Sequence, residues 1–87
     1  MLSDFVGQIV VVDLRSSYVC LGTLHGATEA FIDLRNADLH DLRDTDTTRE
    51  LYVAESHATG IKRNRKRVLI SVADLVAVSR IQDVVDE

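Results

Sequence analysis

Apolar residues recur at every second position near the start of the chain: Val10, Val12 and Leu14, then Leu24 two residues past Gly22. Period-two alternation puts one set of side chains on one face of a pleated strand. Gln8 to Leu14 therefore reads as a strand, rich in valine and isoleucine. Ile9 and Val11 fall between the alternating set, so both faces of this strand are expected to be partly covered. Arg15-Ser16-Ser17 is a small polar turn, and Tyr18 to His25 is a second strand with Gly22 inside it. A glycine within a strand marks a bulge or a sharp bend, because it has no side chain to resist close approach. Gly26-Ala27-Thr28 makes the next turn, and Ala30 to about Leu39 is a third strand that fades into polar sequence.

The pattern then changes. Asp41 to Thr47 is charged and aperiodic, and Thr47-x-x-Glu50 has the spacing of a capping box. Leu51, Ala54, Glu55 and Ala58 follow at helical spacing, with Gly60 as a stop. The spacing predicts a short helix over 48–59; its thin apolar face leaves a mobile loop as the alternative. Lys62 to Lys66 is a basic turn, and Arg67 to Val72 and Leu75 to Ile81 are strands around Ala73-Asp74. At the N-terminus, Leu2 to Phe5 allows one helical turn, with Ser3 or Asp4 as candidate caps. The acidic tail, Gln82 to Glu87, is expected to fray. The fold class predicted is mainly β: five short, strongly bent strands in a small barrel, with a short helix or loop inserted at about 40–66 between strands three and four. Closure of such a barrel removes most exposed sheet edges.

Size and charge narrow this picture. At 87 residues the chain suits one small domain, 1–87, and a domain so small is marginal alone, which favours self-association. The apolar share of 46% suits a packed core. No apolar run approaches the roughly 18 residues of a membrane span, and no signal-peptide pattern opens the chain. Cys20 is the only cysteine, so no internal disulfide forms; this fits a reducing compartment, and the expected location is cytoplasmic. Lys62, Arg63, Arg65, Lys66 and Arg67 carry half the basic charge. The rest of the chain has five basic against fourteen acidic residues, a balance of −9. An acidic body with one basic spur is not the broad basic face of a duplex binder.

The spaced residues Gly7-x-x-Val10-x-Val12-x-Leu14, a gap of seven (15–21), Gly22-x-Leu24 and Glu29-Ala30-Phe31-Ile32-Asp33 resemble the first motif of the Sm/Lsm family. That motif ends in Asp-x-aromatic-Met-Asn, and one extra residue lies here between Leu24 and Glu29. The second motif, Ile-Arg-Gly before a strand, falls at Ile70-Ser71-Val72, where only the isoleucine is kept. The resemblance covers about 2–34 and 67–81. It implies a divergent Sm-like domain: an SH3-type, five-stranded bent barrel whose copies close into rings, the fourth strand of one pairing with the fifth of the next. Under it, Val68, Ile70, Val72, Leu75, Val76 and Val78 are candidate interface residues. The bland alternative is that these strands only fill the barrel core.

The same resemblance places Phe31 where the family stacks an RNA base, an interaction worth about 1–3 kcal/mol and tolerant of base identity. Asp33 stands where the family reads the base edge with asparagine. An ionised aspartate only accepts hydrogen bonds, so a uracil preference is not expected to survive unchanged. Glu29 keeps the motif's first carboxylate. With Ser71 and Val72 in place of arginine and glycine, the pocket is expected to be more acidic than usual. Lys62, Arg63, Arg65, Lys66 and Arg67 would compensate by meeting phosphates; alternatively they are a solvated turn, or dock on Asp38, Asp41, Asp44, Asp46 and Glu50 of a neighbouring copy.

Other chemistry is thinly represented. Alternation puts Asp38 and His40 on one strand face, but His25 and His57 lie far off in sequence and no second cluster completes a metal site. Cys20 reads as a small core residue. No phosphate loop, nucleophile elbow or cofactor motif occurs, so neither enzyme activity nor a cofactor is expected. Two functions follow: a ring-forming subunit that binds single-stranded RNA, and a ring-forming interaction scaffold that has lost the RNA pocket. The expected partners are other copies of the chain and single-stranded RNA, with no membrane.

Overall fold

The alternation in the first strand resolves into two cores, one on each face of a single bent sheet. In the computed structural model, which describes residues 1–85, Val10, Val12 and Leu14 of β1 (Ile9–Leu14) enter an inner core with Cys20, Leu24, Ile32, Leu34, Ala37 and Ile70. Val11 points the other way and joins Val19, Leu21 and Val53 in a second buried cluster. Coverage of both faces, expected from Ile9 and Val11, is thus supplied by Val11 alone, since Ile9 is exposed.

β2 (Tyr18–Ala27) and β3 (Phe31–Asp41) follow, then helix α1 (Arg49–Thr59), β4 (Arg65–Ser71) and β5 (Leu75–Arg80). The sheet is antiparallel throughout with strand order β4-β3-β2-β1-β5. This is the predicted architecture of five bent strands with a helix between the third and fourth. Closure differs in one respect. β4 and β5 are not hydrogen-bonded to each other and form two free edges. The reason lies in the turn Val72–Asp74, where Ser71 Oγ accepts from Ala73 N and Arg15 N donates to Asp74 O. The chain is thereby carried across to β1 instead of back along β4.

Gly22 is where the bend is made. The β2–β3 register shifts between Leu21 and Thr23, with Asn36 in the left-handed region (φ 51°) on the facing strand. Asparagine tolerates that conformation better than other side chains. A Cβ on Gly22 would meet Ala37 Cβ at 3.0 Å, Ala37 Cα at 3.2 Å and the Arg35 carbonyl at 3.2 Å.

The insertion is a helix. Its cap is Thr48, whose Oγ1 accepts from Leu51 N at 3.2 Å, so the box expected at Thr47 and Glu50 gives way to a one-sided cap, Leu51 having no acceptor to return the bond. Starting at Arg49 lets that side chain reach Asp13, 3.6 Å away. Gly60 closes the helix at φ 96°, a conformation that favours glycine. Only Val53 of α1 is buried, and polar interactions make up the difference. The Tyr52 hydroxyl donates to buried Asp38, and the His40 ring stacks on Tyr52 with centroids 4.2 Å apart. Asp38 and His40 share a face, as alternation requires, and what they meet is the helix.

One terminal expectation changes. Leu2–Phe5 is a 3-10 turn without a side-chain cap, so neither Ser3 nor Asp4 serves as one. In the tail, Ile81–Asp83 forms a 3-10 turn and Val84 packs on the outer cluster; residues 86 and 87 lie outside the described residues. Cys20 is wholly buried, and burial, then the charge of Asp38, pushes its thiol up to about 12, leaving it a protonated core residue.

The crowding at Gly22 gives a direct test. Gly22→Ala presses a methyl onto backbone and is expected to destabilise the fold by about 1–3 kcal/mol in urea unfolding. An unchanged midpoint would mean that the bend opens freely.

Candidate nucleic-acid interface

Two turns come together at one end of the barrel. Between β2 and β3, Thr28 N donates to the Phe31 carbonyl at 2.8 Å, while Thr28 Oγ1 accepts from Ala30 N and Phe31 N at 3.2 and 3.1 Å. This local bonding is the usual work of threonine in turns, and it leaves Glu29 and Ala30 exposed at the tip. The Ala30 carbonyl accepts from Val72 N at 2.8 Å, which ties this turn to the one between β4 and β5. Phe31 consequently lies opposite Ser71.

Phe31 is 46% exposed and belongs to neither core. It borders an open cleft of about 350 Å³ together with Tyr18, Leu39, Ser71 and Asp74. The Ser71 hydroxyl faces its own turn, where it accepts from Ala73 N.

Asp33 follows Phe31 on the same outward face of β3, while Ile32 and Leu34 between and beyond them are fully buried. Its carboxylate is occupied. Arg35 donates to it from Nε and Nη2 at 3.0 and 3.2 Å, and Arg67 of β4 from Nε and Nη2 at 3.3 and 3.2 Å. The Arg35 hydrogen bond is the larger cause holding the carboxyl down at about 2; burial opposes it and Arg67 adds to it. One carboxylate between two guanidiniums leaves this patch net positive. The acidic expectation changes at Asp33 alone, which is neutralised by Arg35 two residues along its strand and by Arg67 across the β3–β4 register; the cleft beside Phe31 is itself bordered by Asp74. Arg35 is the member that sequence reasoning missed. The signal for it is the two-residue spacing of Asp33 and Arg35 on one strand, which puts them on one face; the β3–β4 register then adds Arg67.

The basic spur is not one free cluster. Arg67 is on Asp33, Arg63 donates to Asn36 Oδ1, and Arg65 donates to the Asn64 carbonyl. Lys62 borders a separate cleft beside Asp38, His40 and Tyr52. Lys66 is exposed. The acidic segment is likewise divided: Asp38 is buried against Tyr52, and Asp41 is held by Arg43 and Ser17. Asp44, Asp46 and Glu50 remain exposed, so the five acids do not offer one surface for a neighbour's spur.

Among the candidate interface residues, Ile70 is buried, and Val68, Val72, Leu75 and Val78 pack on the inner core. Alternation turns positions 68 and 70 inward, so these side chains fill the barrel. Val76, 66% exposed, points out, as does Leu69, 50% exposed, which sequence reasoning did not select.

No protein-family model matches the chain, and no curated protein matches it. Solved structures do. An Sm protein of Pyrococcus abyssii, in complex with a uridine heptamer, superposes with a TM-score of 0.63 at 15% identity, covering 91% of this chain and 90% of that one. An Sm-like protein of Archaeoglobus fulgidus superposes with a TM-score of 0.61 at 16% identity, covering 92% and 88%. At these identities the likeness establishes the architecture, and the chain has an Sm-like fold.

Acid exposes the role of Asp33. Its folded value lies below the ordinary 3.8, so its contribution to stability is full above 3.8 and is lost as pH falls through about 2. Asp33→Asn is expected to flatten the acid limb of unfolding followed by circular dichroism. The same acid limb in both proteins would show that the arginines add nothing to stability through this carboxylate.

Proposed function

We propose that residues 1–87 act as one divergent Sm-like domain that assembles with copies of itself into a ring and binds single-stranded RNA. Phe31 stacks a base, and the basic residues along β4 meet phosphates. The observation that carries the RNA reading is the half-exposed Phe31 ring, on the same strand face as Asp33 and its two arginines, on a fold shared with a protein in complex with a uridine heptamer. Asp33 is engaged by its arginines, so base identity matters little and stacking dominates.

The two sheet edges support the ring. β4 presents Leu69 outward, and β5 borders an apolar groove of about 480 Å³ lined by Leu2, Phe5, Leu75, Val76 and Val78. Unlike edges that match each other suit head-to-tail pairing, which closes into a ring and removes two aggregation-prone edges per copy. Ser71 in place of a cationic side chain favours a second reading, an interaction scaffold of the same shape that holds no RNA.

Native mass spectrometry with absorbance at 260 nm separates these. The RNA-binding ring gives a multiple of 9.7 kDa and takes up oligoribonucleotide at low salt. A ring that takes up none supports the scaffold, and a lone 9.7 kDa species refutes both. Leu69→Lys is expected to yield folded monomer. Phe31→Ala is expected to weaken RNA binding by about 1–3 kcal/mol without changing the assembly; unchanged affinity would remove Phe31 from the site.

A further inference from the structure

Arg35 and Arg67 lie directly opposite each other on neighbouring antiparallel strands. Like charges so placed repel. Asp33 bridges them, yet one arginine would suffice to neutralise one carboxylate, and the second leaves an uncompensated positive charge at the surface. Arg35 is 37% and Arg67 58% exposed at the side chain. Each guanidinium has five N–H donors. Both spend Nε and Nη2 on Asp33, and among the described residues neither Nη1 makes a hydrogen bond. Two forks are thus held in place by a shared carboxylate, with donors left over on the solvent side.

Their position gives the pair a use. Phe31, Asp33 and Arg35 share the outward face of β3, and residues two apart on a strand are separated by about 7 Å. Both guanidiniums fold back onto Asp33, the outward residue next to Phe31 on that face of the strand. A nucleotide lying along β3 with its base on Phe31 would bring a phosphate oxygen over the arginines.

We infer that Arg35 and Arg67, preorganised by Asp33, form a phosphate seat for the nucleotide stacked on Phe31. Arginine suits it because its planar fork bonds phosphate oxygens while its other edge remains on the carboxylate. This inference rests on the RNA reading, and two measurements keep their outcomes apart.

The first is the salt dependence of binding of fluorescein-labelled uridine and adenosine heptamers to the wild-type protein, Arg35→Gln, Arg67→Gln and Phe31→Ala. Neutralising one phosphate fewer on a single strand lowers the slope of log K against log salt by about 0.7. Each arginine change is expected to lower it by about that amount for both oligomers, while Phe31→Ala weakens binding and leaves the slope in place. Wild-type slopes in both arginine variants would overturn the seat even if Phe31→Ala still weakens binding and the RNA reading stands. The second is a titration with inorganic pyrophosphate, followed by the arginine Nε–H resonances in nitrogen-edited NMR. Shifts confined to Arg35 and Arg67, and reduced at each when the other is changed to glutamine, support the seat even if no oligomer binds and the RNA reading falls. Resonances that do not move overturn it.

Discussion

The approach of Gly22 to Ala37 is the interaction on which the other features depend. Two strands can come that close only where one has no side chain, and the bend they share turns a flat antiparallel sheet into a barrel end. That bend sets the turn at Thr28–Phe31 beside the turn at Val72–Asp74, with Val72 N bonded to the Ala30 carbonyl. Asn36, in its left-handed conformation opposite the bend, is drawn into the same arrangement through its bond from Arg63. One crowded point therefore bears on both the core and the turn that carries the exposed aromatic.

Much of this architecture is written in the chain's periodicity. The alternation from Val10 to Leu14 marks a strand because one face must be apolar, and Gly22 and Gly60 mark a bend and a stop because of what glycine permits. Features fixed by partners distant in sequence are less legible. Thr47 and Thr48 both precede the helix, and spacing to Glu50 favours the first, while the reach of Arg49 to Asp13 accompanies use of the second. Val84 reads as part of a polar tail until the outer cluster beneath α1 gives it neighbours. Arg67 is the partner of Asp33 that spacing does not show, because it follows only after an intervening helix and turn and is set alongside by the β3–β4 register.

The candidate site is legible in position and misleading in charge. Phe31 is exposed where the motif spacing placed an aromatic, since both turns are anchored by backbone bonds that any sequence of this pattern can make. The electrostatics are set by cross-strand register, where a carboxylate and two guanidiniums from separate strands share one face. Counting charges along the chain assigns Asp33 to an acidic pocket and Arg67 to a basic spur. In space they are a single ion-paired group.

The pairing of β5 with β1 has a consequence for how the protein is made. Val10 lies opposite Arg80 and Val12 opposite Val78, so a strand near the beginning waits for one near the end. Until β5 arrives, β1 has an open side, and pairings of such long sequence separation form slowly. On a translating ribosome, the β2–β3 hairpin can form early, but the barrel completes only after nearly all of the chain has emerged. The helix between β3 and β4 covers Val11, Val19 and Leu21. That cover lies on a face of β1, so the edge that waits for β5 stays open until the last strand pairs.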